Sequence, residues 1–334
     1  MSAGQPDSGA VCLVAPDSFK GTMSAEEVAD AMAAGVTEAG FPALRMPLAD
    51  GGEGTTRVLG EALGGAFYTA EVGDPLGRPI DAEYCLLPDG RAVVEVAAAS
   101  GLTLTDQAER DPLQASTRGT GELISAAVDA GAGEVLLAAG GSATTDGGVG
   151  AVEAIRDAGL ADAPPTITVL CDVTTSWQDS PRIFAPQKGA SAVQVAELET
   201  RLSELAQGMP RNPNGVAMTG AAGGLAGGLW AWVGAELAPG ASKVLDLLGF
   251  DHALAGARCV ITGEGRLDAS TGEGKLVAEV AGRSHEAGIP CLAVVGELAL
   301  DPAEAQGLGL VGVREGGNPG EICACARQLV ESVD

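Results

Sequence analysis

The chain has 334 residues, of which 46% are hydrophobic but only 3% aromatic, and a formal net charge of −26. That is enough apolar material for one large or two ordinary α/β domains, with cores built from Ala, Val, Leu and Ile. A surface this acidic repels phosphate backbones and anionic lipid, which argues against nucleic-acid and membrane partners.

In chain order, VCLVAP at 11–16 reads as a buried strand that stops at the polar loop Asp17-Ser-Phe-Lys-Gly-Thr22. Ser24 and Glu27 fit a capping box for a helix over 25–39. A second strand is expected at 43–48, interrupted by Asp50-Gly-Gly-Glu-Gly-Thr55, with a helix to about 63. The pattern changes near 65, where strands at 67–72, 83–87 and 91–98, spaced by turn signals such as Pro88-Asp-Gly90, suggest an antiparallel portion. Alternation returns with a helix at 121–130, a strand at 134–139, the loop GGSATTDGG at 140–148 and a helix from about Gly147. A strand at 167–171 ends in Asp172, 173–190 reads as loop, and helices follow at 192–207 and 221–237. The second of these contains GAAGGLAGGL, small residues that let another backbone come close. The remainder is βαβ in pattern: strand 258–261, helix 275–287, strands 291–295 and 308–311, helix 320–332. Strands alternating with helices of this length imply a mainly parallel sheet.

Two histidines, His252 and His285, exclude a histidine-rich metal site and count against a Ser-His-Asp triad. The seven cysteines lack a CxxC, and the Cys323–Cys325 pair has no histidine near it, as expected of reduced thiols in a cytoplasmic protein. No apolar run approaches the roughly eighteen residues needed to span a bilayer. The start, MSAGQPDSGA, lacks a basic-then-apolar signal pattern.

Four polar, glycine-rich loops each follow an expected strand: DSFKGT (17–22), DGGEGT (50–55), GGSATTDGG (140–148) and TGEGRLD (262–268). Ligands bind at the carboxyl ends of strands in open parallel sheets, and glycine lets backbone N–H groups converge on an anion. A helix starting after such a loop adds positive potential. Each loop also carries acid: Asp17, Asp50, Glu53, Asp146, Glu264 or Asp268. Taken singly, these acids are better explained by helix caps and turns. Together, beside phosphate-type loops, they suggest a magnesium–nucleotide site. Of the four lysines, Lys20, Lys188 and Lys275 adjoin glycine and are candidate anion binders, whereas Lys243 reads as solvated. There is no GxxxxGK[ST] and no HRD/DFG set, and Gly263-Glu-Gly265 is too short for a dinucleotide fingerprint.

Nine stretches in order resemble the type-1 glycerate kinase family: APDSFKGTMSAEEVADAMAAG, PLADGGEGT, GDPLGRP, AAASGL, STRGTGELI, GGSATTDGG, FAPQKGAS, GAAGGLAGGL and VITGEGRLDAST. They span about residues 11–300. The resemblance implies ATP-dependent phosphorylation of D-glycerate, commonly to 2-phosphoglycerate. It also implies a flavodoxin/Rossmann-like domain formed by both chain ends, 1–64 plus 256–334, and an inserted mixed α/β domain, 65–255, with the active site in the cleft between them. In this reading Gly140, Gly141, Ser142, Thr144, Gly147 and Lys188 hold the nucleotide phosphates. Asp146, Asp172 or Asp268 meets Mg²⁺ or orients the attacking hydroxyl, with Asp146 and Asp268 as the metal ligands. Lys20 and Arg266 stabilise transferred charge or clamp the glycerate carboxylate. Asp17, Ser18, Asp50, Arg118 and Glu264 are expected on the substrate, and Arg78 is a further carboxylate candidate with an equal structural reading. Nothing fixes the oligomeric state, and a homodimer is an open option.

The sequence departs from the family pattern at CDVTTSWQDSPRIFAPQKGAS, where Thr175 replaces an asparagine and a glycine-containing turn is missing. It departs also in a shortened DAGLADAPPTITV, at Thr145, and at Gly272 and Gly274. These changes bear on the acceptor. They keep in view a kinase for another small hydroxy acid or polyol, and a non-catalytic nucleotide- or metabolite-binding relative.

Overall fold

The structure, a computed structural model, describes residues 11–160, 164–268 and 276–333. Lys275, Gly272 and Gly274 lie outside the described residues. The chain forms two compact units. One is built from the residues up to Asp50 together with those from Ala241 onward, the other from Gly51–Gly240. These divisions differ from the expected ones at 64/65 and 255/256: the helix Thr55–Ala62 belongs to the inserted unit, and residues 241–255 belong to the chain-end unit.

The chain-end unit carries a five-stranded sheet in the order Leu310–Glu315, Cys291–Val295, Ala257–Thr262, Val11–Val14, Ala43–Arg45. All four pairings are parallel. Numbered along the chain within this unit, the order is 2-1-3-4-5, the flavodoxin-like arrangement, whose strand order reverses between Val11–Val14 and Ala257–Thr262. Helices cover both faces. Cys12 and Val14 turn toward Ala25–Glu38 and Pro319–Glu331, while Leu13 and Ala15 join the layer of Leu245, Phe250, Val277 and Val280. Burial on two faces is why these strands read as unbroken apolar runs. The capping box forms as expected: Glu27 N donates to Ser24 Oγ at 3.2 Å and Ser24 N to Glu27 Oε2 at 2.8 Å.

The inserted unit carries a six-stranded sheet whose spatial order is its chain order: Ala66–Gly73, Pro79–Leu86, Arg91–Glu95, Glu134–Ala138, Thr166–Cys171, Glu236–Pro239. The first two pairings are antiparallel and the last three parallel. The antiparallel portion therefore lies where the spacing of strands placed it. Three local expectations need correction. Residues 96–98 are not strand but open the short helix Val96–Ser100. The segment 173–190 is not loop. It holds the helix Ser180–Phe184 between the 3₁₀ turns Trp177–Asp179 and Pro186–Lys188, and Trp177, Ser180, Ala185 and Lys188 are buried. Prolines 181 and 186 look like breakers in sequence but occupy the first turns of these helices, where a missing N–H costs nothing. The expected helix 221–237 divides into a turn at Ala221–Gly224, a helix Leu225–Trp232 and the edge strand Glu236–Pro239. No helix among the described residues is long and apolar enough to cross a membrane.

Candidate active site

In the chain-end unit, the two strands flanking the order reversal deliver loops 15–24 and 263–268 to one end of the sheet, the place where open α/β sheets take ligands. A cavity of roughly 530 Å³ lies there, lined among others by Asp17, Ser18, Lys20, Asp50, Glu264 and Arg266. The loops are tied to each other through the backbone: Asp17 N donates to Gly263 O at 2.9 Å and Thr262 Oγ1 to Ala15 O at 2.8 Å. Gly263 lets the loop pack against the neighbouring strand Cys291–Val295, since a Cβ there would lie 2.1 Å from the Val294 carbonyl oxygen.

Asp17 is buried, and its Oδ1 accepts from Ser18 N at 2.7 Å. Burial, and then the Asp50 carboxylate, push its carboxyl up to about 8, against the pull of Ser18 N–H and Lys20. Lys20 extends into solvent with its Nζ 3.9 Å from Asp50 Oδ2. The Arg266 guanidinium is braced by Asp268 at 3.4 Å and Glu297 at 3.0 Å. Sequence had placed Asp268 on metal. In the structure its Oδ2 lies 3.4 Å from Arg266 Nε, where it helps orient that cation.

In the inserted unit the carboxyl ends of the parallel strands carry Gly140–Gly148 and Asp172. The loop is held from several sides. Its backbone pairs with the 100–102 segment, with Ala143 N donating to Ser100 O at 2.8 Å and Leu102 N to Gly141 O at 2.9 Å. A Cβ on Gly140 would lie 2.5 Å from Gly52 Cα, so the DGGEGT loop touches it backbone to backbone. Behind it stands GAAGGLAGGL: a Cβ on Gly223 would lie 1.9 Å from Thr144 O, and one on Gly228 2.1 Å from Gly147 O. The small residues let a backbone approach, and that backbone is the 140–148 loop itself.

The Lys188 ammonium is buried within this loop. It donates to Ser142 Oγ at 2.8 Å and to Thr144 O at 2.5 Å. Burial pulls its pKa down to about 7, against the opposing charges of Asp146 and Asp172. Among the described residues, Thr144 Oγ1 and Thr145 Oγ1 are buried with no hydrogen-bond partner. A buried cation and two unpartnered hydroxyls in one glycine-rich loop suit an oxyanion.

Asp146 does something else. Its Oδ2 accepts from Thr117 N at 2.9 Å, Thr117 Oγ1 at 2.8 Å and Gly150 N at 3.3 Å, and its Oδ1 from Gly148 N at 3.0 Å. Both oxygens are committed to donors that fix the loop to the starts of helices Arg118–Asp129 and Val149–Asp157. These bonds give Asp146 a positioning role in the loop. Asp146→Ala should therefore lower stability by about 3 kcal/mol, the scale of a buried charged acceptor removed from several donors. Thermal melts check this, and an unchanged Tm would contradict it.

Arg118 lies on the surface of the inserted unit, bonded to Glu122 at 3.1 Å and Asp157 at 2.7 Å. Arg78 is engaged by Asp74 at 2.6 Å and Glu109 at 3.0 Å, which fits its structural reading. Sequence reasoning missed Thr117, Thr145 and Glu95. Glu95 accepts from Thr56 N at 2.7 Å and so holds the first turn of Thr55–Ala62. It also missed Trp177, whose ring faces Gly147, Gly224 and Gly227. A tryptophan amid small polar residues was the one available signal for that contact.

The family model described as "Glycerate kinase family" matches residues 12–164 and 160–315. The chain is 38% identical over 330 residues to a protein of Escherichia coli strain K12 named Glycerate 2-kinase, covering 86% of each. It is 37% identical to a Glycerate kinase of Bacillus subtilis strain 168, covering 86% of this chain and 85% of that one. A crystal structure of a Salmonella typhimurium LT2 protein, provisionally named glycerate kinase 2, superposes with a TM-score of 0.83 at 34% identity, over 97% and 98% of the two chains. The chain belongs to the glycerate kinase family. As an enzyme of that family it is a kinase, and ATP use follows from that class. Three family-type stretches supply contacts within the inserted unit: PLADGGEGT brings Gly52 against Gly140, STRGTGELI brings Thr117 to Asp146, and FAPQKGAS brings Lys188 to Ser142 and Thr144.

Proposed function

We propose that this enzyme transfers the γ-phosphoryl group of ATP to the 2-hydroxyl of D-glycerate. The observation that carries the reading is the pocket of the chain-end unit. It sets the carboxyl groups of Asp17 and Asp50 beside the cations Lys20 and Arg266. That set complements an acid bearing neighbouring hydroxyls: Lys20 and Arg266 meet the carboxylate, and the acids accept from the hydroxyls. The 38% identity to a protein named Glycerate 2-kinase supports the 2-position. In the inserted unit, the backbone of 140–148, Ser142, the two threonine hydroxyls and Lys188 meet the nucleotide phosphates.

Among the described residues, no three His, Cys, Asp or Glu side chains are grouped to hold a metal ion. That suits a magnesium ion carried on the nucleotide and met by one carboxylate, for which Asp172, half-buried beside Gly140, is the candidate. Bound there, magnesium supplies neutralisation of phosphate charge. The seven free thiols fit a reducing, cytoplasmic setting.

The test is ADP release from MgATP with and without D-glycerate, followed by phosphorus NMR of the product. Glycerate-dependent release and a 2-phosphate resonance are expected. Release that ignores glycerate but responds to another hydroxy acid would move the acceptor. A 3-phosphate product would overturn the regiochemistry alone.

A further inference from the structure

We infer that Asp17 is the catalytic base that takes the proton of the attacking hydroxyl. This rests on the kinase reading above and adds an assignment to it, since Asp17 was expected only to bind substrate while Asp146, Asp172 or Asp268 was expected to orient the attacking hydroxyl.

Three observations carry it. First, Asp17 stands at the end of Val11–Val14, one of the two strands that flank the order reversal, inside the cavity that offers complementary groups to a hydroxy acid. Second, its two oxygens differ. Oδ1 is fixed by Ser18 N at 2.7 Å, and among the described residues no hydrogen bond is directed at Oδ2. A carboxyl anchored at one oxygen and open at the other is held ready for a single proton transfer. Third, Asp17 and Asp50 share one pocket but have unlike surroundings. Asp50 has Lys20 at 3.9 Å, whereas burial and the neighbouring Asp50 carboxylate raise the Asp17 carboxyl to about 8. A raised carboxyl in a pocket that already holds a second acid suits the role of proton carrier.

The charged groups facing Asp17 come from every neighbouring loop: Asp50 after Ala43–Arg45, Lys20 on its own loop, Glu264, Arg266 and Asp268 after Ala257–Thr262, and Glu297 after Cys291–Val295. In the step, the 2-oxygen of glycerate forms a bond to the γ-phosphorus. The bond from that phosphorus to the β,γ-bridging oxygen breaks, and ADP leaves with the electron pair. The hydroxyl proton passes to Asp17 Oδ2, and solvent removes it after product departs.

The experiment is the pH dependence of kcat/KM for D-glycerate at saturating MgATP, for wild type, Asp17→Asn and Asp50→Asn. A raised carboxyl is protonated below its pKa and a base above it, so wild-type kcat/KM should climb with pH and level off near 8. Asp17→Asn should lower kcat by roughly 10²–10⁴-fold and abolish the climb. Asp50→Asn removes a like charge, and the limb should move to lower pH. Asp17→Asn with kcat within tenfold of wild type, or with KM alone raised, would overturn the assignment. If that variant does not fold, a limb that stays in place in Asp50→Asn overturns it instead. Wild-type protein with no glycerate-dependent turnover would undo the kinase reading. Wild-type turnover with an unaffected Asp17→Asn undoes only the base.

Discussion

Lys188→Met should leave the inserted unit folded and lower kcat/KM for ATP by roughly 10²-fold or more, the scale seen when one preorganised charge facing a developing oxyanion is removed. Two effects on stability oppose each other. Methionine fills the space of the lysine stem without burying a charge, which favours the variant. It also leaves Ser142 Oγ and the Thr144 carbonyl without their donor, which costs about 1–3 kcal/mol. The balance depends on pH, and its sign follows from the lysine. Burial lowers the folded pKa to about 7 from an ordinary value of 10.5. The unfolded chain therefore holds more protons between those values, and folded stability rises with pH across that window. The advantage is complete above 10.5 and is lost as pH falls to about 7. The difference in Tm, wild type minus Lys188→Met, should thus grow from pH 7 to pH 10. A difference independent of pH would mean that the ammonium is not desolvated as the structure places it.

The chain-end unit was largely legible because its elements are held by local rules. The capping box at Ser24 and Glu27 needs no tertiary information, and strands buried on both faces announce themselves as apolar runs. Its pocket was legible for a related reason: once Val11–Val14 and Ala257–Thr262 are strands, the polar residues after them must meet at the sheet's end. The inserted unit was less so. Glu236–Pro239 has four residues and no alternation, so only its pairing with Thr166–Cys171 makes it a strand. The anchoring of Asp146 was not legible, because a carboxylate in a glycine loop looks the same whether it faces a ligand or Thr117, which lies 29 positions earlier. The pattern gave residue types at the carboxyl ends of strands. It could not say which were spent on holding the loop and which remained to act.

Gly223→Ala should be among the most damaging single-methyl additions in the inserted unit. The added Cβ would lie 1.9 Å from Thr144 O and 2.7 Å from Thr144 C, and both are backbone atoms of the phosphate-type loop, so no rotamer change relieves the contact. Gly223 also has φ +68°, a left-handed conformation that a side chain strains. Relief requires the 140–148 backbone to move. That would break the bond from Gly147 N to Gly223 O, 3.1 Å long, and shift the Thr144 carbonyl away from the Lys188 ammonium. Steric displacement and strain together should cost about 3 kcal/mol or more, a fall in Tm of roughly 6–12 °C for a unit of this size. Function should fall further than stability. A loop displaced by half an ångström no longer aligns its N–H groups, hydroxyls and ammonium on one oxyanion, so kcat/KM for ATP should drop by about 10²-fold even where the protein is fully folded. Gly208→Ala is the control. It ends the helix Ala192–Gly208 with nothing within 4 Å of the new methyl, and it should leave turnover unchanged. Equal turnover in the two variants would show that the loop tolerates displacement and is not the element that aligns the phosphates. A large loss confined to Gly223→Ala would tie the chemistry to a shape that GAAGGLAGGL enforces from behind, through residues that need never touch the nucleotide.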